Sequence, residues 1–285
     1  MTDVVLGFKA FDIHELLCHF VAQEAGLYAQ QGLNIKLIDT NFVPEQSLPE
    51  VFFSVACGAA LVGWLNGVPQ KIMFVATDKP LFWLYSRADI DSIQHLQHCR
   101  IATYVGVAPP SYLLNAILAQ QGLDLRAEVE NIPARDDIAR IGLLKSGNVD
   151  AAVVSSAVPP AVMMKYDFKQ LLFFGEHVRI PTTGLAIQPA LKDRHPEVVA
   201  AMVDIFTRSL QLIKGRDVVV QKVLARDFDI PLPAVSPTVD LLAECFCHHG
   251  QSSTKIVEGA IKLMKMELQC SEPPIDNALY DFSFC

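Results

Sequence analysis

The 285-residue chain has no run of basic residues, no glycine-rich phosphate loop, no dinucleotide fingerprint, no nucleophile elbow and no HExxH motif. Those gaps remove nucleotide-dependent and metalloprotease chemistry from the readings that a local motif would carry. Lysine and arginine number 23 against 31 aspartates and glutamates, a formal charge of −8, so nucleic acid is not an expected partner. The longest apolar run, residues 51–65, is broken by Ser54, Gly58 and Gly63. It is shorter than the ~20 residues that a bilayer-crossing helix needs. Only Thr2 and Asp3 precede the first strand, with no basic n-region and no apolar h-region. On this reading the chain is expected in the cytoplasm, or in the periplasm where Met1 is not the natural start.

Seven cysteines (18, 57, 99, 245, 247, 270 and 285) form an odd set without framework spacing, so free thiols are expected rather than a disulfide scaffold. Cys245-Phe246-Cys247-His248-His249 is the one clustered set of metal-type ligands. A structural zinc site needs a second ligand pair, so a partly buried helix end is expected there and no metal.

What is present is a pattern that occurs twice. Residues 4–39 read as strand (VVLGF), loop, long apolar helix and strand (NIKLID). Residues 100–132 read as strand (RIATY), loop, helix (SYLLNAILAQQGL) and strand (AEVENI). The helix exits match, Gln30-Gln31-Gly32-Leu33 and Gln120-Gln121-Gly122-Leu123. A duplicated βαβ unit about 95 residues apart predicts two α/β lobes with a ligand cleft between them.

Further along, residues 48–55 read as the continuation of a helix and 58–63 (GAALVG) as a short buried strand. That strand parallels residues 151–155 (AAVVS) in the second repeat. Residues 71–76 and 82–86 read as strands, the second leaving the lobe. Residues 135–146 read as an amphipathic helix with Ile138, Ile141 and Leu144 on its apolar face. Strands are expected at 171–174 and 184–188, and helices at 196–214, 217–228, 238–247 and 252–268. The stripe Val199, Met202, Val203, Phe206, Leu210 and Ile213 makes the first of these helices the strongest. The first lobe is then 1–86 with 187–285 and the second 88–182, the chain crossing near 82–88 and 180–187.

Ligands of α/β sheets bind outside the carboxyl ends of the strands, which selects the candidate residues. In the first lobe these are Phe11, as a stacking ring, His14 and Thr77, with Asp12 read as the N-cap of the first helix. In the second they are Tyr104, Gly106 and Val107 of the loop after its first strand, and Ser155 and Ser156 after the AAVVS strand. Gly106 allows close backbone approach to a ligand. Pro109 and Pro110 deprive the following helix of amide donors and so weaken an anion site there. Thr182, at the second crossing, completes the set.

The residues carry a resemblance. HELLCHFVAQEAGLYAQQGLNIKLID, with Gly26-Leu27-Tyr28 and Gly32-Leu33-Asn34-Ile35, resembles the opening of type-II periplasmic binding proteins of the nitrate, aliphatic-sulfonate, taurine and thiamine-precursor group. LKSGNVDAAVVSS resembles that group's signature at Leu144, Gly147, Val149, Asp150 and Ala151. HPEVVAAMVDIFTRSLQLIK resembles its long helix after the second crossing, and YDFSFC its ending. Where the group carries glycines before the second lobe's first strand, this chain has His98 and Ala102.

The resemblance implies an α/β, two-lobe Venus-flytrap fold, each lobe a mixed or parallel sheet flanked by helices, closing on a solute. One branch of the group is a cytosolic synthase of the thiamine pyrimidine precursor, which uses its own bound pyridoxal phosphate and a histidine. Its cysteine-rich cluster and its lysine have no counterpart in PTTGLAI (181–187) or GAALVG (58–63). The resemblance therefore implies non-covalent binding of a small polar or anionic organic solute, with no cofactor. The protein is expected to be monomeric. It would be the substrate-binding component of an ABC-type uptake system, meeting a permease if exported, or a cytosolic relative of one. The alternative is a cytosolic enzyme on the same fold, with His14 or Cys57 as the reacting group.

Overall fold

The computed structural model describes residues 1–105, 108–124, 128–270 and 279–285. The chain forms two compact units, Met1–Asp78 with Ile180–Cys285, and Lys79–Arg179. Among the described residues no helix is long and apolar enough to cross a membrane.

The first unit opens with β1 (Thr2–Phe8), α1 (Ile13–Glu24), α2 (Leu27–Gln30) and β2 (Leu33–Asp39). It continues through β3 (Phe52–Ser54), α3 (Cys57–Leu65) and β4 (Lys71–Thr77). The second unit runs β5 (Phe82–Arg87), β6 (Arg100–Thr103), α4 (Pro109–Gln120), β7 (Glu130–Pro133) and α5 (Asp137–Lys145). It ends with β8 (Ala151–Ser155), α6 (Pro160–Met163), β9 (Phe168–Phe173) and α7 (Phe174–His177). The chain then returns to the first unit with β10 (Thr183–Ile187) and five helices: α8 (Pro189–Arg194), α9 (Pro196–Lys214), α10 (Val218–Asp227), α11 (Leu232–Cys245) and α12 (Thr254–Leu268).

Each unit holds a mixed five-stranded sheet, in the order β2-β1-β3-β10-β4 and β7-β6-β8-β5-β9. The two orders are the same topology. In each sheet four strands run the same way, and the fourth position is taken by the one strand that is antiparallel to its neighbours, β10 in one and β5 in the other. Both repeats enter their second strand through a left-handed glycine, Gly32 at φ 66° after α2 and Gly122 at φ 81° after α4. This is why the Gln-Gln-Gly-Leu exit recurs: the backbone there sits where a Cβ is penalised.

The apolar stripe of α9 behaves as its spacing predicts: Val199, Met202, Val203, Phe206, Leu210 and Ile213 are all buried. The Phe206 ring meets that of Phe74 on β4 edge-on, 5.8 Å between centroids. Each such side chain contributes ~1.5–3 kcal/mol on leaving water.

Three readings from the sequence are corrected. Residues 58–63 lie in helix α3 rather than in a strand, and the counterpart of β8 is β3, at Phe52–Ser54, in a stretch read as helical. An apolar run buried on most sides has no periodicity that separates helix from strand. Residues 82–86 do not end the first lobe: β5 is hydrogen-bonded on both edges within the second sheet, to β8 and β9, so the chain leaves the first unit after Asp78. Ile138 is 81% exposed, because the buried stripe of α5 is Asp137, Arg140, Ile141 and Leu144.

Candidate functional site

In both sheets the connections diverge at one place. From β1 the chain passes through α1 to β2 on one side, and from β3 through α3 to β4 on the other. From β6 it passes through α4 to β7, and from β8 through α6 to β9. Such a reversal leaves a crevice outside the carboxyl ends of the two diverging strands, where ligands of α/β sheets bind. The candidate residues stand at these ends, each group within its own unit.

In the first unit, Asp12 caps α1 by accepting the Glu15 amide at 2.9 Å, and this cap turns the chain so that His14 enters the helix buried. His14 Nε2 and Thr182 Oγ1 share a hydrogen bond of 2.7 Å, joining positions 168 residues apart. The Thr182 amide donates to the Thr77 carbonyl at 3.2 Å, and Thr77 Oγ1 donates to the Cys245 carbonyl at 2.9 Å. Asp78 Oδ2 accepts from Ser252 Oγ at 2.7 Å. His14, Thr77 and Thr182 thus form one buried polar group, extended by Asp78 and Ser252. Sequence reasoning did not single out Ser252, which the tertiary fold brings from the loop before α12.

Burial pulls the His14 imidazole down to about 3, so at neutral pH it is uncharged and offers one donor and one acceptor. Phe11 is 54% exposed, its ring within about 6 Å of those of Phe8, Phe20 and Phe228. Cys57, at the first turn of α3, is fully buried, its Sγ 3.7 Å from the Phe74 carbonyl oxygen. Burial pushes its thiol well above the ordinary range, which is the opposite of what a nucleophile needs.

In the second unit, Tyr104 follows β6, and Ser155 and Ser156 close β8, both serines buried. Gly106 and Val107 lie outside the described residues. The structure adds Asp137 and Arg140 of α5, whose N-cap Asp136 accepts the Ala139 amide at 2.8 Å. Arg140 has no exposed surface and lies in an ion pair of 2.7 Å with Asp137. Its guanidinium centre is 3.8 Å from the centroid of the Tyr104 ring. Asp137 accepts the Ser155 amide at 2.8 Å and the Ser155 hydroxyl at 2.7 Å. The sequence signal for this pair was opposite charges at i, i+3 in phase with Ile141 and Leu144, a spacing that more often marks an exposed helix face. Arg135 is exposed and precedes the helix.

Elsewhere, Cys245 is buried at the end of α11, the Cys247 amide donates to the Ala76 carbonyl at 2.8 Å, and the rings of His248 and His249 are 6.0 Å apart. Among the described residues no group of three or more His, Cys, Asp or Glu is placed to hold a metal ion. The strand ends of the two units therefore gather hydroxyls, a neutral imidazole, aromatic rings and charge that is already paired, groups whose chemistry suits hydrogen bonding and stacking with a small molecule.

The model of the NMT1/THI5-like family matches residues 15–216. No curated protein matches the chain significantly. Among solved structures, the alkanesulfonate-binding protein SsuA from Xanthomonas axonopodis pv. citri, bound to MOPS, is similar with a TM-score of 0.79 and 14% identity, over 99% of this chain and 98% of that one. The desulfurization enzyme DszB is similar with a TM-score of 0.72 and 13% identity, over 99% of this chain and 97% of that one. A Candida albicans protein, the CA3427 gene product, described as having the generic periplasmic binding protein fold, scores 0.70 at 14% identity over 95% and 92%. At these identities the likeness is one of fold: two mixed five-stranded sheets flanked by helices, as in periplasmic binding proteins.

Proposed function

Because the chain belongs to the NMT1/THI5-like family, we propose that it binds a small polar or anionic organic solute, without covalent chemistry, at the carboxyl ends of its strands. The observation that carries this reading is the first unit's buried set. Residues 14, 77 and 182 meet through a 2.7 Å side-chain hydrogen bond and a 3.2 Å amide bond, with the imidazole held neutral. Buried polar groups assembled from distant positions at a switch point are costly unless they are satisfied, and they serve recognition better than packing. Phe11, three residues before His14, supplies an exposed ring.

The finer reading is a sulfonate-type solute delivered to an ABC-type permease. It is supported by the fold shared with the alkanesulfonate-binding protein. A second reading, an enzyme on this fold, is supported by the likeness to DszB. Cys57 does not serve it, being buried and held as a thiol.

The deciding experiment is native mass spectrometry of the purified protein before and after dialysis against MOPS, followed by denaturation and identification of what is released. A solute released intact, and displaced by MOPS, is the expected result. A covalent adduct, or turnover of the released compound that is lost in H14A, would replace the binding reading with the enzymatic one.

A further inference from the structure

Strand β8 has an incomplete edge. It pairs with β5 through Ser155, but with β6 only at Ala151 and Ala152. Beyond Ala152, β6 stays with β7 and the chain turns off at Tyr104. The backbone groups of β8 that lose a strand partner there find side chains instead. Arg140 Nε donates to the Val153 carbonyl at 2.7 Å, and Asp137 takes the Ser155 amide. Arg140 Nη1 also donates to the Ala134 carbonyl at 3.1 Å, so one guanidinium ties the end of β7 to the end of β8. In the first unit the corresponding edge, between β3 and β1, is closed by main chain: the Val55 amide donates to the Gly7 carbonyl at 2.9 Å.

We propose that Asp137 and Arg140 are positioning residues of the solute site in the second unit: a buried side-chain pair that stands in for a strand, fixes the plane of the Tyr104 ring and sets the polarity of the Ser155 hydroxyl. The proposal rests on the solute-binding reading. Arg140 has all three of its nitrogens in hydrogen bonds, so its flat face, and the ring 3.8 Å from it, have one orientation. The Ser155 hydroxyl gives its one proton to Asp137 and accepts the Ala157 amide at 3.2 Å. What remains on that oxygen is a lone pair. The group of the solute that faces Ser155 is therefore a hydrogen-bond donor, an N–H or O–H, and not a sulfonate or carboxylate oxygen.

The test uses the full chain with R140K, D137N and S155A, read by NMR of ring-labelled tyrosine, by amide hydrogen exchange and by calorimetry with MOPS as the probe. R140K keeps the charge but loses the fork. It is expected to move the Tyr104 ring resonances, to speed exchange of the Ser155 amide at least tenfold while the Ala151 and Ala152 amides keep their rates, and to weaken MOPS at least tenfold. D137N places a carboxamide donor against Ser155 and so reverses the hydroxyl. S155A, which removes one oxygen and keeps the strand, is the variant to rely on if the other two do not fold, and it is expected to weaken MOPS several-fold. Unmoved Tyr104 resonances with unchanged Ser155 exchange in R140K, exchange that quickens evenly along β8, or MOPS binding untouched by S155A would each overturn the positioning role. Wild-type protein that takes up no MOPS would count against the sulfonate-type reading alone, and the ring signals and exchange rates would still decide the role of the pair.

Discussion

The two units share one topology and finish it by different means. Both place an antiparallel strand fourth in a five-stranded sheet, and both enter the second strand of the repeat through a left-handed glycine. At the switch point, however, the first unit is closed by the main-chain hydrogen bond from the Val55 amide to the Gly7 carbonyl, and the second by the side chains of Asp137 and Arg140. Residues 40–51 of the first unit contain only two short 3-10 turns, whereas the corresponding stretch of the second contains helix α5. Main-chain closure needs only strands in register, while side-chain closure needs a buried ion pair and therefore a helix to carry it. The single tryptophan in each unit, Trp64 on α3 and Trp83 on β5, gives each its own spectroscopic reporter.

The comparison breaks most severely at Gly184. A Cβ there would overlap the Phe74 carbonyl and the Val75 backbone, neither of which is the far end of a flexible side chain. Gly184→Ala is expected to cost more than about 4 kcal/mol, among the largest single-residue effects. In denaturant titration the Trp64 transition should collapse to low denaturant or vanish. An unchanged Trp64 midpoint would mean that β10 does not lie in this register.

Next in size is Arg140→Met. It leaves the Asp137 carboxylate buried without its partner, a change worth about 3–5 kcal/mol when one member of a buried pair is removed. The Trp83 transition should move by that amount. A double replacement of Asp137 and Arg140 by apolar residues should recover much of the loss, because the desolvation of both charges then disappears. If the single and double variants lose equally, the closure of β8 depends on the hydrogen bonds and not on charge compensation.

The contrast between the units also explains what the sequence disclosed. The repeated helix exit is a local backbone requirement, so it was legible as Gly-Leu after paired glutamines. The α9 stripe was legible because one side of that helix is covered and the other is wet. The identity of β3 and α3 was not legible, since the less buried Ala59, Val62 and Gly63 are as apolar or small as the buried Cys57, Ala60, Leu61, Trp64 and Leu65 between which they lie, and the residue types leave no periodicity to read. The site was half legible for a related reason. His14, Thr77, Thr182, Tyr104 and Ser155 stand at strand ends, which topology alone selects. Asp137 and Arg140 sit in a buried helical stripe, where charge reads as solvent exposure, and Ile138 was taken for the apolar face in their place.

A milder way to separate the units is acid. Burial holds His14 to about 3 and His19 to about 4, both on α1 of the first unit. The unfolded chain takes up these protons near the ordinary histidine value of about 6.5, and the folded unit refuses them. The stability they contribute is therefore complete above about pH 6.5 and is lost as pH falls toward 3–4. Glu15, whose carboxyl is pushed up to about 7 chiefly by burial, binds its proton in the folded state first and returns part of that loss between about pH 7 and 4.5. The three histidines of the second unit, His95, His98 and His177, are exposed. The Trp64 transition should thus weaken ahead of the Trp83 transition below about pH 5, and E15Q should bring that separation to higher pH. Parallel acid curves at the two tryptophans would show that α1 is not what sets the acid limit.

The smallest effect is the most even-handed, because the same device occurs in both units. Asp12 and Asp136 each cap a helix by accepting the amide three residues on, at 2.9 and 2.8 Å. An N-cap aspartate replaced by alanine costs about 1 kcal/mol, ranging from about 0.5 to 2. Asp136 is exposed, so in its absence water can satisfy the Ala139 amide, and the Trp83 midpoint should shift by no more than about 1 kcal/mol. Asp12 is 2% exposed, so water does not replace it and the Glu15 amide is left unsatisfied. The Trp64 midpoint should then shift by about 2 kcal/mol, and serine, which also caps, should restore most of it. Equal losses at the two positions would mean that solvent reaches the start of α1 as freely as that of α5, and the buried character assigned to the His14 end of the site would have to be given up.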